Sequence, residues 1–360
     1  MAVFGYHVIA MQYFSDDAKA VPEFLFGAGN SGVALFFILS GFVLTWSSMP
    51  GDKSASFWYR RVARIWPLHV VAVGLAGIVS VSVVPAIRTD DPWALLSNLF
   101  LVNSWHQDWW QAGNPVSWSL ACEAFFYALF PLLIRLLRSL RKNGLLVVGL
   151  AMLGCLGLSP VIAELAHRSL SGYSWPPLRL PEFVIGIVLA LLMRHGEWRG
   201  PRLAPAIVIA AIGYFLPALL APIGPAPINT TMISDIDLAA LIAAIARRDL
   251  QQQPSALARP LLIKLGQVSF AFYLVHLLTI QLVASAWPDD HPHLPLVPGL
   301  GLALLSFACA LGVAFALHHF VELKAQRFLM SRLRVRQDIR RGLLNDARTS
   351  EANAQAPPPR

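Results

Sequence analysis

Glu123 stands well inside the apolar stretch VSWSLACEAFFYALFP, which runs from Val116 to Pro131. A carboxylate in such a run costs several kcal/mol unless it is paired, protonated or facing a wet cavity. Ser119, Glu123 and Tyr127 recur at i, i+4 and i+8 and so share one helical face. His7 sits in a second apolar stretch, AVFGYHVIAM. A buried carboxylate orients an imidazole and favours its charged form, which is how a general base is made. The competing arrangement has each group satisfied separately, with Glu123 bonded to backbone or serine. In GQVSFAFYLVH, Ser269, Tyr273 and His276 again share a face, at i, i+4 and i+7. They suit a direct catalytic role or an interhelical hydrogen-bond seam equally. In FWYRRVARIWP, Arg60, Arg61 and Arg64 supply fixed cations that fit a phosphate-bearing ligand. The same three also suit topology signalling and lipid headgroup contact.

The elements that must position these residues are membrane helices. Of the 360 residues, 56% are hydrophobic and 13% charged, with a mean hydropathy of +0.58. Soluble domains carry about 25% charged residues. Ten apolar segments stand out, at 1–14, 29–48, 66–87, 116–139, 145–163, 178–194, 203–221, 230–247, 264–287 and 296–321. Most approach the roughly 20 residues that a spanning helix needs. The first is short and has no charged flank, so it is expected to be the back half of a helix whose front lies upstream of Met1. It lacks the basic start of a signal peptide. The expected fold is an all-α polytopic helix bundle with about ten transmembrane helices over residues 1–325. A basic tail follows at 326–360, disordered at its polar, proline-rich end.

Basic residues set the orientation. Of the 28 Lys and Arg residues, 24 fall in alternate gaps and the C-terminal tail, which places those on the cytoplasmic side of a bacterial inner membrane. Because they lie between apolar segments and form no soluble patch, no nucleic-acid partner is expected despite the net charge of +8. Membrane lipids are the surrounding partner. With this orientation Glu123 lies about 12 Å and His7 about 10 Å below the outer surface, so the two are expected to meet.

Asn114 and Pro115 read as an N-cap and first helical residue. Arg179 and Glu182 form an i, i+3 ion pair, while Asp235 and Asp237 are expected to be hydrated at an outer helix end. Gly32 and Gly41, with Ser31 and Ser40, allow close helix approach. Cys122, Cys155 and Cys309 read as small buried hydrophobes, and no metal site is expected. GxSxG, HExxH and phosphate-loop motifs are missing from the sequence.

Taken in order, the helix-1 histidine, GVALFFILSGFVL, FWYRRVARIWPLH, NPVSWSLACEAFFYALFP, LRLPEFVIGIVLA and SFAFYLVH resemble the acyltransferase-3 family of integral membrane O-acyltransferases. The resemblance spans about residues 1–325. It implies transfer of an acetyl or other short acyl group from acyl-coenzyme A to a hydroxyl of a glycan, lipid-linked sugar or macrolide, with no permanently bound cofactor. By match, His7 resembles the catalytic histidine, Arg61 and Arg64 the R-x-x-R element linked to the donor, and Glu123 the acidic residue after the tryptophan-serine motif. Three departures stand out. The family's arginine eleven places before the histidine would fall upstream of Met1. Ala34 replaces a frequent aspartate, and FVELKA lacks a usual proline. The resulting expectation is a His7 base oriented by Glu123, donor phosphates at Arg60, Arg61 and Arg64, and Ser40, Asn114, Trp118, Ser119, Tyr273 and His276 around the substrates. The alternatives are a transporter or glycan flippase, with midplane polar residues lining a path, and an inactive truncated relative.

Overall fold

The computed structural model describes residues 1–166, 172–220 and 230–332. Among these residues there are no strands; one isolated bridge joins Phe14 to Leu294. The helices are α1 (Ala2–Ala10), α2 (Ala20–Phe26), α3 (Ser31–Ser47), α4 (Ser54–Ser82), α5 (Pro92–Leu99), α6 (Trp118–Arg138), α7 (Lys142–Leu165), α8 (Pro176–Arg194), α9 (Leu203–Leu220), α10 (Thr230–Leu250), α11 (Pro260–Ala284) and α12 (Leu296–Leu317). Eight helical stretches among the described residues are long and apolar enough to cross a membrane. All ten expected segments are helical. The two that fall short of a span are α1, with nine residues, and α10, which carries Asp235, Asp237, Arg247 and Arg248. The fold is the expected polytopic helical bundle.

Two boundaries differ from those expected. α4 begins at Ser54, so Arg60, Arg61 and Arg64 lie on the helix and not in a loop before it. Hydropathy marks only the lipid-embedded part, whereas helical hydrogen bonding continues through the polar turns beneath it. α12 likewise passes through a π-helical turn at His318–Glu322 and stays helical to Arg332. Residues 333–360, the rest of the basic tail, lie outside the described residues.

α8 is the central helix, buried on nearly all sides, and α3 runs along it. A Cβ on Gly41 would run into the carbonyl oxygen of Phe183, and one on Gly186 into that of Ile38. Each helix therefore presents a glycine to the other's backbone, the small-residue contact that substitutes for a hydrophobic drive inside lipid. Gly41→Val is expected to push the two helices apart at a cost of about 1–3 kcal/mol. Thermal unfolding in detergent checks this, and an unchanged midpoint would remove the close contact from the account.

α7, α9 and α12 are apolar on all faces and lie at the bundle's periphery. Cys155 and Cys309 are exposed on α7 and α12, and only Cys122 is buried. The expectation of three buried cysteines is corrected to one, since an apolar helix bathed in lipid gives no sequence cue to which face is inside. Arg138 and Arg194, from two different basic gaps, converge on the end of α3. Arg138 Nη2 donates to Ser48 Oγ at 2.7 Å, and Arg194 Nη1 to the Thr45 and Ser48 carbonyls at 2.9 and 3.0 Å. Cations satisfying the last carbonyls of a helix also meet the negative end of its dipole. These two basic gaps and the end of α3 thus lie on one face of the bundle.

Candidate functional site

Two cavities on the arginine-bearing side adjoin each other. The first, about 1080 Å³, is lined by Lys53, Arg60, Arg61, Arg135 and Arg138 together with Ser47 and Ser48. It gathers five cations from α4, α6 and the α3–α4 turn against one carboxylate, Asp52, so it is a concave surface of net positive charge. Lys53, Arg135 and Arg138 carry no motif, and only the fold shows them facing Arg60 and Arg61. The second cavity, about 400 Å³, lies deeper and shares Leu44 and Arg61 with the first. Its polar lining is Ser40, Arg61, Arg64, Glu123, Tyr127, Ser269 and Tyr273. Arg61 stands at the junction, its guanidinium carbon 5.8 Å from the Phe57 ring centre and 5.9 Å from that of Tyr127.

Glu123 is buried in this second cavity. It accepts hydrogen bonds from Ser40 Oγ at 3.1 Å and from the Tyr127 hydroxyl one turn along α6. The shared face of Ser119, Glu123 and Tyr127 is therefore real, but its partners are hydroxyls and arginines. The expected contact between Glu123 and His7 does not form. Equal depth does not imply adjacency in a bundle, because depth leaves the rotation about the membrane normal free.

His7 has a different neighbour. Its ring centre lies 5.2 Å from that of His276 on α11, with the planes at 51°. His276 is buried, and its Nδ1 lies 2.7 Å from the Tyr273 carbonyl oxygen. A carbonyl only accepts, so Nδ1 carries the proton and Nε2 keeps its lone pair. Among the described residues no group bonds that Nε2. The Tyr273 hydroxyl, on the same helix, lies 2.7 Å from Ser119 Oγ. Tyr273, Ser119 and His276 thus form a polar layer that reaches from the ring of His7 to the cavity of Glu123, which Tyr273 lines.

Beyond that layer, His7 lines a third cavity of about 700 Å³ on the opposite face. Its other walls include Arg88, Asp90, Asp108, Trp109, Gln111 and Gln281. Arg88, Asp90, Asp108, Trp109 and Gln111 lie in one stretch between α4 and α6, which the hydropathy pattern marks as an outer gap.

Two expected site residues have structural positions. Asn114 and Pro115 stand, as expected, at the N-cap and first position of the helical turn that leads into α6, but the Asn114 side chain makes no capping bond; its Nδ2 donates to the Leu274 carbonyl at 2.8 Å and ties the start of α6 to α11. A short 3₁₀ turn at Pro115–Ser117 separates it from α6. Trp118 is buried, its ring packed against Tyr173 at 4.7 Å, and its carbonyl accepts from Ser104 Oγ at 3.0 Å. Both hold the polar layer in place. Among the described residues no group of three or more potential metal ligands lies together.

The acyltransferase-domain family of the acyltransferase-3 type matches residues 1–319. Acyltransferase MdmB of Streptomyces mycarofaciens is 36% identical over 298 residues, covering 78% of this chain and 76% of that protein. Nodulation protein 10 of Rhizobium leguminosarum bv. viciae is 29% identical over 329 residues, covering 80% and 82%. A Staphylococcus aureus (strain COL) protein provisionally named an O-acetyltransferase, SACOL0978, is 23% identical over 292 residues, covering 72% of this chain but 48% of that protein. No solved structure matches the chain. An all-helical bundle with eight apolar spans, matched by this family over nearly its whole described length, admits one assignment. The chain belongs to the acyltransferase-3 family and is an integral membrane acyltransferase.

Proposed function

We propose that the protein moves an acetyl or other short acyl group from acyl-coenzyme A, bound from the arginine-rich side, to a hydroxyl that enters from the opposite side. The relatives named for acyl and O-acetyl transfer support the short acyl group and the hydroxyl acceptor. One observation supports the sidedness: His7 lines the cavity walled by the stretch between α4 and α6, the arginines line the other two, and the Tyr273–Ser119–His276 group reaches from one to the other. The donor's phosphates sit among Lys53, Arg60, Arg61, Arg135 and Arg138. Its acyl arm passes Arg61 and Arg64 into the cavity of Glu123, and the thioester stops at the polar layer. The acceptor, a glycan, lipid-linked sugar or macrolide, approaches from the His7 cavity.

His7 takes the proton of the acceptor hydroxyl. The oxygen attacks the thioester carbonyl, the C–S bond breaks, and coenzyme A leaves as the thiol with the proton restored. His276, fixed in one tautomer by the Tyr273 carbonyl, positions His7 by accepting from its other ring nitrogen. Glu123 holds the hydroxyls of Ser40 and Tyr127 beside Arg61 and Arg64 and so shapes the donor's path. A placed base supplies about 10²–10⁴-fold, and alignment of the two substrates supplies much of the remainder.

The test is release of free thiol from acetyl-coenzyme A by the purified chain in proteoliposomes. Acyl transfer is expected only when donor and acceptor are on opposite sides. A transporter releases no thiol, and that result would end the proposal. Arg138→Ala is expected to raise KM for acetyl-coenzyme A about tenfold, the effect of one lost charge-assisted bond, with kcat little changed. An unaltered KM would move the phosphates elsewhere.

A further inference from the structure

A fourth cavity, also about 700 Å³, opens between α2, α3, the turn before α8, α9 and α10. It shares no lining residue with the three described above. Its elements meet at the ends that the hydropathy pattern assigns to the His7 side. Here the expectation of hydrated aspartates is corrected: Asp235 is 0% exposed and Asp237 3%. Asp237 packs onto Gly213 of α9, where any side chain would displace it. Asp235 lines the cavity, and among the described residues neither of its carboxylate oxygens has a hydrogen-bond partner. Arg179 lines the same cavity. The pair expected between it and Glu182 forms, at 2.8 Å and almost wholly buried, and its Nε has no hydrogen-bond partner.

Glu182 already compensates the charge of Arg179, so the ion pair does not require Asp235. A fully buried carboxylate that no protein donor meets is costly. We propose that this cavity is a binding site for a neutral polyhydroxylated ligand, a sugar ring or a sugar-bearing lipid headgroup, held by Asp235 and Arg179. The choice follows from donor and acceptor chemistry. A hydroxyl both donates and accepts, so neighbouring hydroxyls on a ring satisfy the Asp235 oxygens and the Arg179 Nε–H together. An ammonium group would donate to Asp235 but would lie against the guanidinium and could accept nothing from it. A phosphate or carboxylate would accept from Arg179 but would meet Asp235 and, at the mouth, Glu23. The aromatic rings of Tyr173 and Phe24 supply flat apolar walls for the C–H face of a sugar. The volume suits a small-molecule site, which typically spans about 300–1,000 Å³.

The site is read by binding, so its test stands apart from acyl transfer. The full chain, in a sugar-free detergent, is titrated with methyl glucoside, glucosamine or inorganic phosphate, and thermal unfolding is followed. A second arm places the chain in phosphatidylcholine nanodiscs with or without a glucosyl diacylglycerol. Saturable stabilisation by methyl glucoside, or by the glucosyl lipid alone, is expected, with none from phosphate and no preference for glucosamine. Asp235→Ala should raise the half-saturating concentration about tenfold or more. Phe24→Ala, at an exposed position away from the buried charges, should weaken binding in the same direction and serves if Asp235→Ala does not fold. No saturable shift in either arm overturns the proposal. So does unchanged binding in both variants, or a glucosamine preference that Asp235→Asn abolishes, which would mark a cation site.

Discussion

His7→Ala should slow acyl transfer by about 10²–10⁴-fold, the contribution of a placed general base. The chain should remain inserted and folded, because His7 lines a cavity and His276 Nε2 is already without a hydrogen-bond partner among the described residues. Acetyl-coenzyme A binding should survive, since the arginine cavities lie across the polar layer. The measurement is single-turnover transfer together with donor binding. Near-normal turnover would sink the base assignment. His276→Ala separates positioning from chemistry: a smaller loss of kcat with KM for the donor unchanged is expected if His276 only holds His7. Glu123→Gln should instead change donor KM, since Glu123 faces Arg61 and Arg64 and not the imidazole.

Arg179→Ala carries the largest expected cost to stability. The guanidinium is buried, paired with Glu182 at 2.8 Å, and set 5.6 Å from the ring centres of both Phe37 and Tyr173. The ion pair is close in distance but is not a directed hydrogen bond at the Glu182 oxygens. Removing the cation leaves the buried Glu182 carboxylate without its partner, in the neighbourhood of Asp235, at a cost of about 3–5 kcal/mol. A steep fall in folded yield is expected, with recovery when Glu182→Gln and Asp235→Asn are added. A stable single variant would show that the cluster does not hold α8 to α10.

The membrane character, the ten apolar helical segments and the shared faces of the polar residues on α6 and α8 were legible in the sequence. Hydropathy is a local sum over about 20 residues, and the i, i+4 period is a property of one helix. Hence Ser119, Glu123 and Tyr127 could be placed on one face, and Arg179 with Glu182, from order alone. Which helix stands beside which was not legible, because lipid-bathed helices lack a hydrophobic drive that writes neighbours into composition. The pairing of His7 with His276 and not Glu123, the gathering of Lys53, Arg135 and Arg138 around Arg60, and the burial of Asp235 all depend on rotation about the membrane normal. That rotation is decided by close contacts such as Gly41 on Phe183 and Asn114 on Leu274. Only the packed bundle brings those residues together.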